Sequence, residues 1–231
     1  MTSYSHIFFD LDHTLWDHER NSHETLSELY GKYDLEKLGG FDCPKFLETY
    51  DQVNQRLWRR YRHGEIDQPY IRKHRFELVL GTLDVSVDQV PHQLSSDYLE
   101  QAPLKTHVFP HTYELLAYLK SKYTLSIITN GFDDVQHTKI QSARLGEYFT
   151  EIVTSERAGC LKPDRNIFDF TCQKLDTSSK DCIMVGDNLE TDIAGAKNAD
   201  IDQVFFNPSR YQHETQVTFE VVHLQELEEI L

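Results

Sequence analysis

From residue 108 onwards, short apolar segments alternate with segments of helical periodicity, and this alternation restricts the fold more than any other feature of the chain. Strands are predicted at 123–129, 151–154, 182–185 and 203–206. Helices are predicted at 111–121, 134–145, 165–175, 189–199 and 224–231, with Asp133 or Asp134 capping the second and Asp164 the third. Repeated strand–helix units form parallel sheets that carry helices on both faces. The sequence therefore predicts an α/β fold with a parallel sheet.

Residues 17–102 differ from the rest because no segment among them has the character of a strand. Apolar side chains recur there at helical spacing, as Val53, Leu57 and Tyr61 do. Helices are predicted at about 24–30, 44–61, 69–80 and 88–100, and roughly 85 residues are enough for a small domain. We therefore predict a core made of residues 1–16 and 103–231, and a helical domain, residues 17–102, inserted into it.

Polar residues stand where several predicted strands end. The apolar run Ile7–Phe9 is followed at once by Asp10 and Asp12, although packing alone gives no reason to place two acids there. Further polar residues follow later strands or open a helix: Thr129, Asn130, Lys162, Asp187 and Asp192. Because the carboxyl ends of parallel strands lie along one edge of a sheet, these side chains can converge in one crevice.

The acids in this crevice suit a metal and a phosphoryl group. Magnesium is usually held by one or two carboxylates together with substrate phosphate, and Asp10 and Asp187 fit that role. One metal-bound carboxylate can also attack phosphorus as a nucleophile. Asp12 could protonate the leaving oxygen and later activate a water molecule. The acids therefore favour magnesium-dependent phosphoryl transfer.

The other polar groups suit the charge on a transferring phosphoryl group. Its equatorial oxygens require donors and positive charge. Thr129 offers a hydroxyl, Lys162 an ammonium, and Leu11 and Asn130 their main-chain N–H groups. These four residues are the predicted phosphate-binding set.

Four segments resemble the motifs of the haloacid dehalogenase-like hydrolases, in the order that the family has them and over nearly the whole chain. They are residues 10–14 (DLDHT), 127–131 (IITNG), 162–163 (KP) and 186–192 (GDNLETD). The resemblance implies a Rossmann-like core with a helical cap inserted between the first and second motifs. It also implies that the family's roles fall on the matching residues of this chain.

Those implied roles agree with the chemistry above. Asp10 is expected to be the nucleophile and Asp12 the acid and base. Magnesium is expected on Asp10, the main-chain carbonyl of Asp12 and Asp187, with Asp192 bound through water or outside the ligand set. The true dehalogenases of the family lack the second acid of the first motif, so the presence of Asp12 favours a phosphatase.

Within the inserted domain, residues 51–66 and 75–77 resemble the pyrimidine 5′-nucleotidases of this family. Asn54 and Trp58 share a helix face, where an indole could stack on a base and a carboxamide could pair with its edge. Arg75 is a third candidate substrate contact. Two simpler interpretations remain open: Trp58 packs in the core of the domain, and the arginines at 56, 59, 60 and 62 form a solvated helix face rather than a guide for anions.

Composition restricts the partners of the protein. Its 231 residues carry a net charge of −15, which disfavours nucleic acid or an anionic membrane as a partner and leaves a small phosphate ester. The four cysteines show no metal or disulfide spacing, which fits a reducing compartment. With no secretion signal or membrane span recognised, we expect a cytoplasmic protein that is a monomer or weak dimer.

The combined prediction is a magnesium-dependent phosphomonoester hydrolase that forms an aspartyl-phosphate, most specifically a pyrimidine nucleoside 5′-monophosphate nucleotidase. Alternatives within the same superfamily are a sugar-phosphate or phosphoglycolate phosphatase and a phosphoglucomutase. A further alternative is a non-catalytic member that binds a nucleotide or a protein partner. Retention of Asp10, Asp12 and Lys162 argues against that last alternative.

Overall fold

Within residues 4–231, which the structure (a computed structural model) describes, six strands form one sheet in which all neighbouring strands are parallel. They are β1 His6–Phe9, β2 Thr124–Thr129, β3 Glu151–Thr154, β4 Cys182–Gly186, β5 Asp202–Phe206 and β6 Phe219–Val221. The strand order is β3-β2-β1-β4-β5-β6. The predicted α/β fold is therefore confirmed, and only the edge strand β6 was not anticipated.

Strand β1 lies at the centre of the sheet, between β2 and β4. Its side chains alternate between the two faces: Ile7 and Phe9 join one hydrophobic cluster and Phe8 joins the other. Both faces are covered, which explains the unbroken apolar run in the sequence. The strands that follow β1 in the chain, β2 and β3, lie on one side of it, and the next strand, β4, lies on its other side. Open α/β sheets bind ligands where the strand order reverses in this way.

One compact unit runs up to His18 and resumes from Thr106 to Leu231, so it contains the sheet. The second unit spans Glu19–Lys105, beginning two residues and ending three residues after the boundaries predicted for the inserted domain. No strand occurs within residues 19–105. The helices of this part of the chain are α1 His18–Lys32, α2 Glu36–Gly39, α3 Cys43–Arg62, α4 Gln68–Thr82 and α5 Leu94–Gln101.

Local sequence explains where the two long helices of this unit begin. The Asp42 carboxylate accepts a hydrogen bond from the main-chain N–H of Lys45 at 2.9 Å, and Asp67 accepts from that of Tyr70 at 2.8 Å. Each cap is followed by a proline in the first helical turn, where the missing N–H costs nothing. The predicted helix ends at residues 30 and 80 were wrong, because α1 continues to Lys32 and α4 to Thr82, so that Gly31 and Gly81 lie inside these helices.

The fourth predicted helix, 88–100, was wrong in its first half. Residues Val87–Gln89 form a 3₁₀ turn, and α5 starts only at Leu94. Pro91 restricts the residue before it to extended backbone, and Val90 has φ −66° and ψ 124°. A proline that looks like a first-turn residue in the sequence therefore separates two short elements instead.

The helices of the sheet-containing unit are α6 Thr112–Lys120, α7 Asp133–Ser142, α8 Ser155–Ala158, α9 Arg165–Lys174, α10 Ala194–Asn198 and α11 Leu227–Ile230, and a π-helical turn, Leu189–Ile193, precedes α10. Apolar residues of α6, α7 and α11 pack in the cluster that contains Ile7, and those of α9 and α10 pack in the cluster that contains Phe8. The predicted helices on both faces of the sheet are thereby present.

The predicted caps of α7 and α9 had different outcomes. Asp164 caps α9 by accepting from the main-chain N–H of Asn166 at 2.9 Å, as expected. Helix α7 has Phe132 at its N-cap and no side-chain cap, so neither predicted aspartate performs that role. The Asp133 carboxylate instead accepts from the Thr154 hydroxyl at 2.7 Å, which ties the start of α7 to the end of β3.

The cysteines and the hydropathy of the helices add two facts. All four cysteines are free thiols; two are buried, Cys172 and Cys182, and the other two are half-buried. In residues 4–231 every helix is too short or too polar to cross a membrane.

Candidate active site at the carboxyl ends of the strands

Lys162 holds two aspartates together at the end of β1. Its ammonium donates to Asp10 Oδ1 at 2.6 Å, lies 2.7 Å from Asp192 Oδ1, and donates to the Ile128 carbonyl at 2.7 Å. The Lys162 side chain is only 2% exposed. Burial alone would lower the pKa of Lys162, but the two carboxylates raise it above its usual value. Lys162 is therefore a buried, charged link between the first and last predicted motifs.

The side chain of Asn130 places Lys162 in this position. Its amide donates to the Lys162 carbonyl at 2.9 Å and its oxygen accepts from the Lys162 main-chain N–H at 2.8 Å. Asn130 was predicted to bind phosphate through its main chain. The structure adds that its side chain bridges the end of β2 and the lysine.

A glycine allows Asp192 to approach the end of β4 closely. A Cβ atom on Gly186 would lie 2.4 Å from Asp192 Oδ2, so any other residue at position 186 would displace the carboxylate. The same Oδ2 accepts from the main-chain N–H of Asn188 at 3.0 Å. Asp192 comes from the π-helical turn, a feature frequent at functional sites. The GDxxxxD spacing therefore places the carboxylate of Asp192 against the turn after β4 that carries Asp187.

Asp10, Asp187 and Asp192 together form a group that could hold a metal ion, since each offers a carboxylate oxygen and these oxygens lie within 4.8 Å of one another. The Thr14 hydroxyl donates to Asp187 Oδ1 at 3.2 Å. Three carboxylates face one ammonium here. A divalent cation with oxygen ligands would neutralise the excess negative charge, so the residues fit magnesium. Asp192 was expected to bind the metal through water or to lie outside the ligand set. In the structure its carboxylate belongs to the same group of oxygens as those of Asp10 and Asp187.

Crowding of these acids changes their ionisation. Burial raises the pKa of Asp10 well above its usual value, and the neighbouring Asp192 and Asp187 add to the effect against the opposing charge of Lys162. Burial, followed by the charge of Asp192, raises the pKa of Asp187 to about 8. The metal-free cluster therefore retains protons near neutral pH, and cation binding would release them.

This gives a prediction for magnesium and pH. The folded pKa of Asp187 is about 8 and its unperturbed value is 3.8, so the folded state holds the extra proton between these values. Stability of the metal-free protein should therefore fall as pH rises through this window. Because magnesium requires the ionised carboxylate, we expect it to raise the melting temperature more at about pH 8 than at about pH 6.

The measurement is thermal unfolding with and without magnesium chloride at both pH values. Asp187→Asn, which has no carboxyl group to ionise at this position, should respond weakly to magnesium and with less pH dependence. An equal or larger magnesium effect at the lower pH would contradict the prediction.

Asp12 lies in a separate set of hydrogen bonds. Its Oδ1 accepts from Lys139 at 2.6 Å, its Oδ2 accepts from Gln136 at 2.9 Å, and His18 Nδ1 lies 3.5 Å from Oδ1. Burial alone would raise the pKa of Asp12, but Lys139 and His18 outweigh it and hold this pKa well below the usual value. Burial lowers the pKa of His18 to about 4. Asp12 is therefore ionised in this state.

The remaining predicted phosphate ligands are Leu11, in the loop after β1, and Thr129, the last residue of β2. The Thr129 hydroxyl accepts from the main-chain N–H of Gly131 at 3.1 Å and from Gln136 at 2.7 Å. The Leu11 carbonyl accepts from the N–H groups of Leu15 and Trp16, which closes the loop after β1. The structure thus brings the predicted core residues to one edge of the sheet.

Sequence reasoning missed Gln136 and Lys139. They occupy buried positions of α7, 0% and 5% exposed, on the helix that follows β2. The available signal was that a helix in a βα unit starts at the ligand-binding edge of the sheet, so polar residues on its inner face can reach the site.

The three candidates of the helical unit differ in their surroundings. Trp58 is half-buried and its ring meets that of Tyr61 edge-on at 5.6 Å. Asn54 is half-buried, and its Oδ1 has no hydrogen-bond partner in residues 4–231. Arg75 is 6% exposed; its Nη1 donates to the Tyr50 hydroxyl at 3.4 Å. The arginines at 56, 59, 60 and 62 are exposed or half-buried, which fits the solvated helix face.

Comparison with known proteins supports the fold and the motifs. A family model for haloacid dehalogenase-like hydrolases matches residues 4–200. The pyrimidine 5′-nucleotidase of Escherichia coli strain K12 is 29% identical over 228 residues, which cover 97% of this chain and 96% of that protein. The ribulose-1,5-bisphosphate 5-phosphatase of Halopiger xanaduensis is 34% identical over 216 residues, covering 91% and 87%. A magnesium-bound Bacillus subtilis hydrolase has a similar fold, with a TM-score of 0.89 at 24% identity, over 99% of this chain and 98% of that one.

Proposed function

The chain belongs to the haloacid dehalogenase-like hydrolases, as its four motifs indicated, and on that premise we propose that it is a magnesium-dependent phosphatase that forms an aspartyl-phosphate on Asp10. One observation carries this proposal: a buried ammonium and three carboxylates meet at the ends of the central strands, with Asp12 in the loop after β1 and the Thr129 hydroxyl at the end of β2. The residues proposed as nucleophile, proton carrier, phosphate donors and cation ligands therefore lie at one edge of the sheet, which supports the proposal.

The first step is attack by an Asp10 carboxylate oxygen on phosphorus. A new O–P bond forms, the bond from phosphorus to the ester oxygen breaks, and the departing oxygen takes a proton from Asp12. Lys162 and the Thr129 hydroxyl are in place to stabilise the charge on the phosphoryl oxygens. When bound by Asp10, the Asp12 carbonyl and Asp187, magnesium would supply further positive charge at this point.

The second step releases phosphate. A water molecule gives its proton to Asp12 and attacks phosphorus, and the Asp10–phosphorus bond breaks to restore the carboxylate. The ionised state of Asp12 in this structure suits this step. For the first step Asp12 must take up a proton, and a phosphate dianion beside it would favour that uptake because like charges raise the pKa of a carboxyl group.

We further propose that the substrate is a pyrimidine nucleoside 5′-monophosphate. Support comes from the full-length similarity to the Escherichia coli nucleotidase. It also comes from the resemblance of residues 51–66 and 75–77 to the pyrimidine 5′-nucleotidases. Asn54, Trp58 and Arg75 are the candidate base contacts within those two segments. A sugar phosphate is the second candidate, favoured by the 34% identity to the ribulose-bisphosphate phosphatase.

A substrate screen tests both proposals. With magnesium present, we expect phosphate release from UMP and dUMP to exceed release from ribulose-1,5-bisphosphate and glyceraldehyde 3-phosphate by about 100-fold or more in kcat/KM, because a site that pairs with a base leaves polar groups unpaired without it. Chelation by EDTA should abolish turnover. The screen measures inorganic phosphate under matched conditions.

The outcomes separate the two levels of the proposal. A preference for a sugar phosphate would overturn the nucleotide assignment and leave the phosphatase assignment intact. Full turnover in EDTA would contradict the role of magnesium. Bound substrate that stays intact with magnesium over many hours would favour a non-catalytic member of the family.

A further inference from the structure

Two side chains of α7, Gln136 and Lys139, contact the proposed acid and base without touching the carboxylate cluster. They lie three residues apart and so share one helix face. Both are buried, although a glutamine and a lysine in a helix are usually exposed. Packing alone does not explain why these two polar side chains are buried beside Asp12, in the loop after β1.

Lys139 forms a buried ion pair with Asp12. Its ammonium lies 2.6 Å from Asp12 Oδ1 and 4.3 Å from the centre of the fully buried Trp16 ring. Within residues 4–231, Asp12 is the one carboxylate paired with Lys139. A buried ammonium is costly unless it is paired, so this lysine and this aspartate determine each other's position.

Gln136 connects Asp12 to Thr129. Its Nε2 donates one hydrogen to Asp12 Oδ2 at 2.9 Å and the other to Thr129 Oγ1 at 2.7 Å. The amide orientation follows from chemistry, because a reversed amide would place its oxygen against the carboxylate. Gln136 Oε1 has no hydrogen-bond partner in the described chain, so the two donated bonds determine the side-chain position.

Gly131 provides the space for this connection. A Cβ atom at position 131 would lie 2.0 Å from Gln136 Nε2 and 2.3 Å from its Cδ. The third residue of the TNG segment, Gly131, must therefore lack a side chain if Gln136 is to keep this position. The glycine of the motif and the glutamine five residues later thus depend on each other structurally.

The same bonds orient the Thr129 hydroxyl. Its oxygen accepts from Gly131 N–H and from Gln136 Nε2, and a hydroxyl has two lone pairs and one hydrogen. With both lone pairs engaged, the hydrogen remains available as a donor. A phosphoryl oxygen is an acceptor, so this is the orientation that phosphate binding requires.

Building on the proposed phosphatase function, we propose that Lys139 and Gln136 are positioning residues for proton transfer. Each holds one oxygen of the Asp12 carboxylate, and each of those oxygens keeps a lone pair for the proton that moves to the leaving group or from water. Gln136 additionally turns the Thr129 hydroxyl towards its role as a donor. Neither residue needs to touch the substrate.

The first test compares two leaving groups. UMP releases an alcohol that must be protonated, whereas p-nitrophenyl phosphate releases a stable phenolate that does not. Lys139→Met should lower kcat/KM for UMP by about 100-fold, and for p-nitrophenyl phosphate by less than about 5-fold, because general acid catalysis is worth about 10²–10⁴-fold only where a proton is needed. Equal losses on both substrates would overturn the role of Lys139.

Gln136→Leu should behave differently, because it also releases the Thr129 hydroxyl. We expect kcat/KM to fall by about 10-fold or more on both substrates, as for loss of a preorganised donor. Gln141→Leu is the matched control, since Gln141 is exposed on the same helix and should leave both rates unchanged. Gln136→Leu with unchanged rates would overturn the role of Gln136.

A double-mutant comparison shows whether Lys139 acts through Asp12. In an Asp12→Asn background, Lys139→Met should cost less than about 3-fold further, because coupled residues are not additive. Circular dichroism confirms that each variant is folded. A full 100-fold further loss in that background would overturn the proposal.

Crystal structures give a readout that does not depend on turnover. In Lys139→Met the Asp12 side chain should leave the rotamer that it has in the parent protein. If it keeps that rotamer in both Lys139→Met and Gln136→Leu, the positioning proposal is overturned even if the protein is a phosphatase. If the parent protein hydrolyses no ester, the proposed function fails and the Asp12 rotamers still decide the positioning proposal.

Discussion

Asp10→Asn is expected to lower kcat for phosphate release by about 10⁴-fold or more, because the amide cannot replace the attacking carboxylate in a two-step reaction. The substitution preserves shape. Asp10 already has a raised pKa in the metal-free protein, so a neutral side chain there should cost little stability. We therefore expect a folded protein that binds substrate but forms no phosphoryl-enzyme when acid-quenched samples are examined by mass spectrometry.

Asp12→Asn provides the contrast that separates the two acids. It keeps the nucleophile and removes the proton carrier, so p-nitrophenyl phosphate should still phosphorylate Asp10 and the adduct should accumulate because water is not activated. Asp169→Asn controls for loss of one acid, since Asp169 is about half exposed and pairs only with Arg165 in residues 4–231. Asp10→Asn with undiminished turnover would eliminate covalent catalysis by this residue.

The parts of this fold that were predictable are those encoded by short-range patterns. The run Ile7–Phe9 serves two sheet faces, and a fully apolar strand is the signature of that environment. Parallel pairing then brings its end beside the end of β4, so convergence of Asp10 and Asp187 followed from topology alone. The helical unit was likewise visible in apolar spacing and in the prolines that open α3 and α4.

Other elements depend on contacts that a local pattern does not contain. Strand β6 has three residues, two of them exposed, and it exists because it pairs with β5 at the sheet edge. The uncapped start of α7 is similar, since Asp133 bonds to Thr154 across the sheet edge instead of to its own helix. Long-range partners override capping preference in such cases.

Within the site, residue types were predictable and their pairings were not. Lys162 was assigned to phosphate on chemical grounds, but its simultaneous bonds to Asp10 and Asp192 join positions 152 and 30 residues apart. Gln136 and Lys139 occupy inward positions that helical periodicity alone assigns to apolar residues, as Ile140 illustrates. A polar residue on the inner face of a helix that starts at the ligand-binding edge is the pattern to seek in similar chains.

Lys162→Met is expected to destabilise the metal-free protein by about 3–5 kcal/mol near neutral pH, the range found when one partner of a buried ion pair is removed. The ammonium is the one positive side chain bonded to Asp10 and Asp192 in the described chain, and its removal leaves buried carboxylates facing one another. Phosphate release should be lost as well, because the charge on the phosphoryl group loses a principal donor. Urea unfolding measures the stability change, with Lys180→Met, at an exposed position, as the control.

The pH dependence of this loss distinguishes electrostatics from packing. Without Lys162 the carboxyl pKa values rise further, and acids with raised pKa values contribute stability that is present at low pH and lost as pH rises. The difference in free energy of unfolding between Lys162→Met and the parent protein should therefore shrink between about pH 7.5 and about pH 5. Magnesium should also stabilise this variant, because a cation replaces part of the missing charge. A stability loss that is the same at both pH values and insensitive to magnesium would show instead that Lys162 acts through its packing, and that the carboxylates do not form the charged cluster from which the proposed chemistry follows.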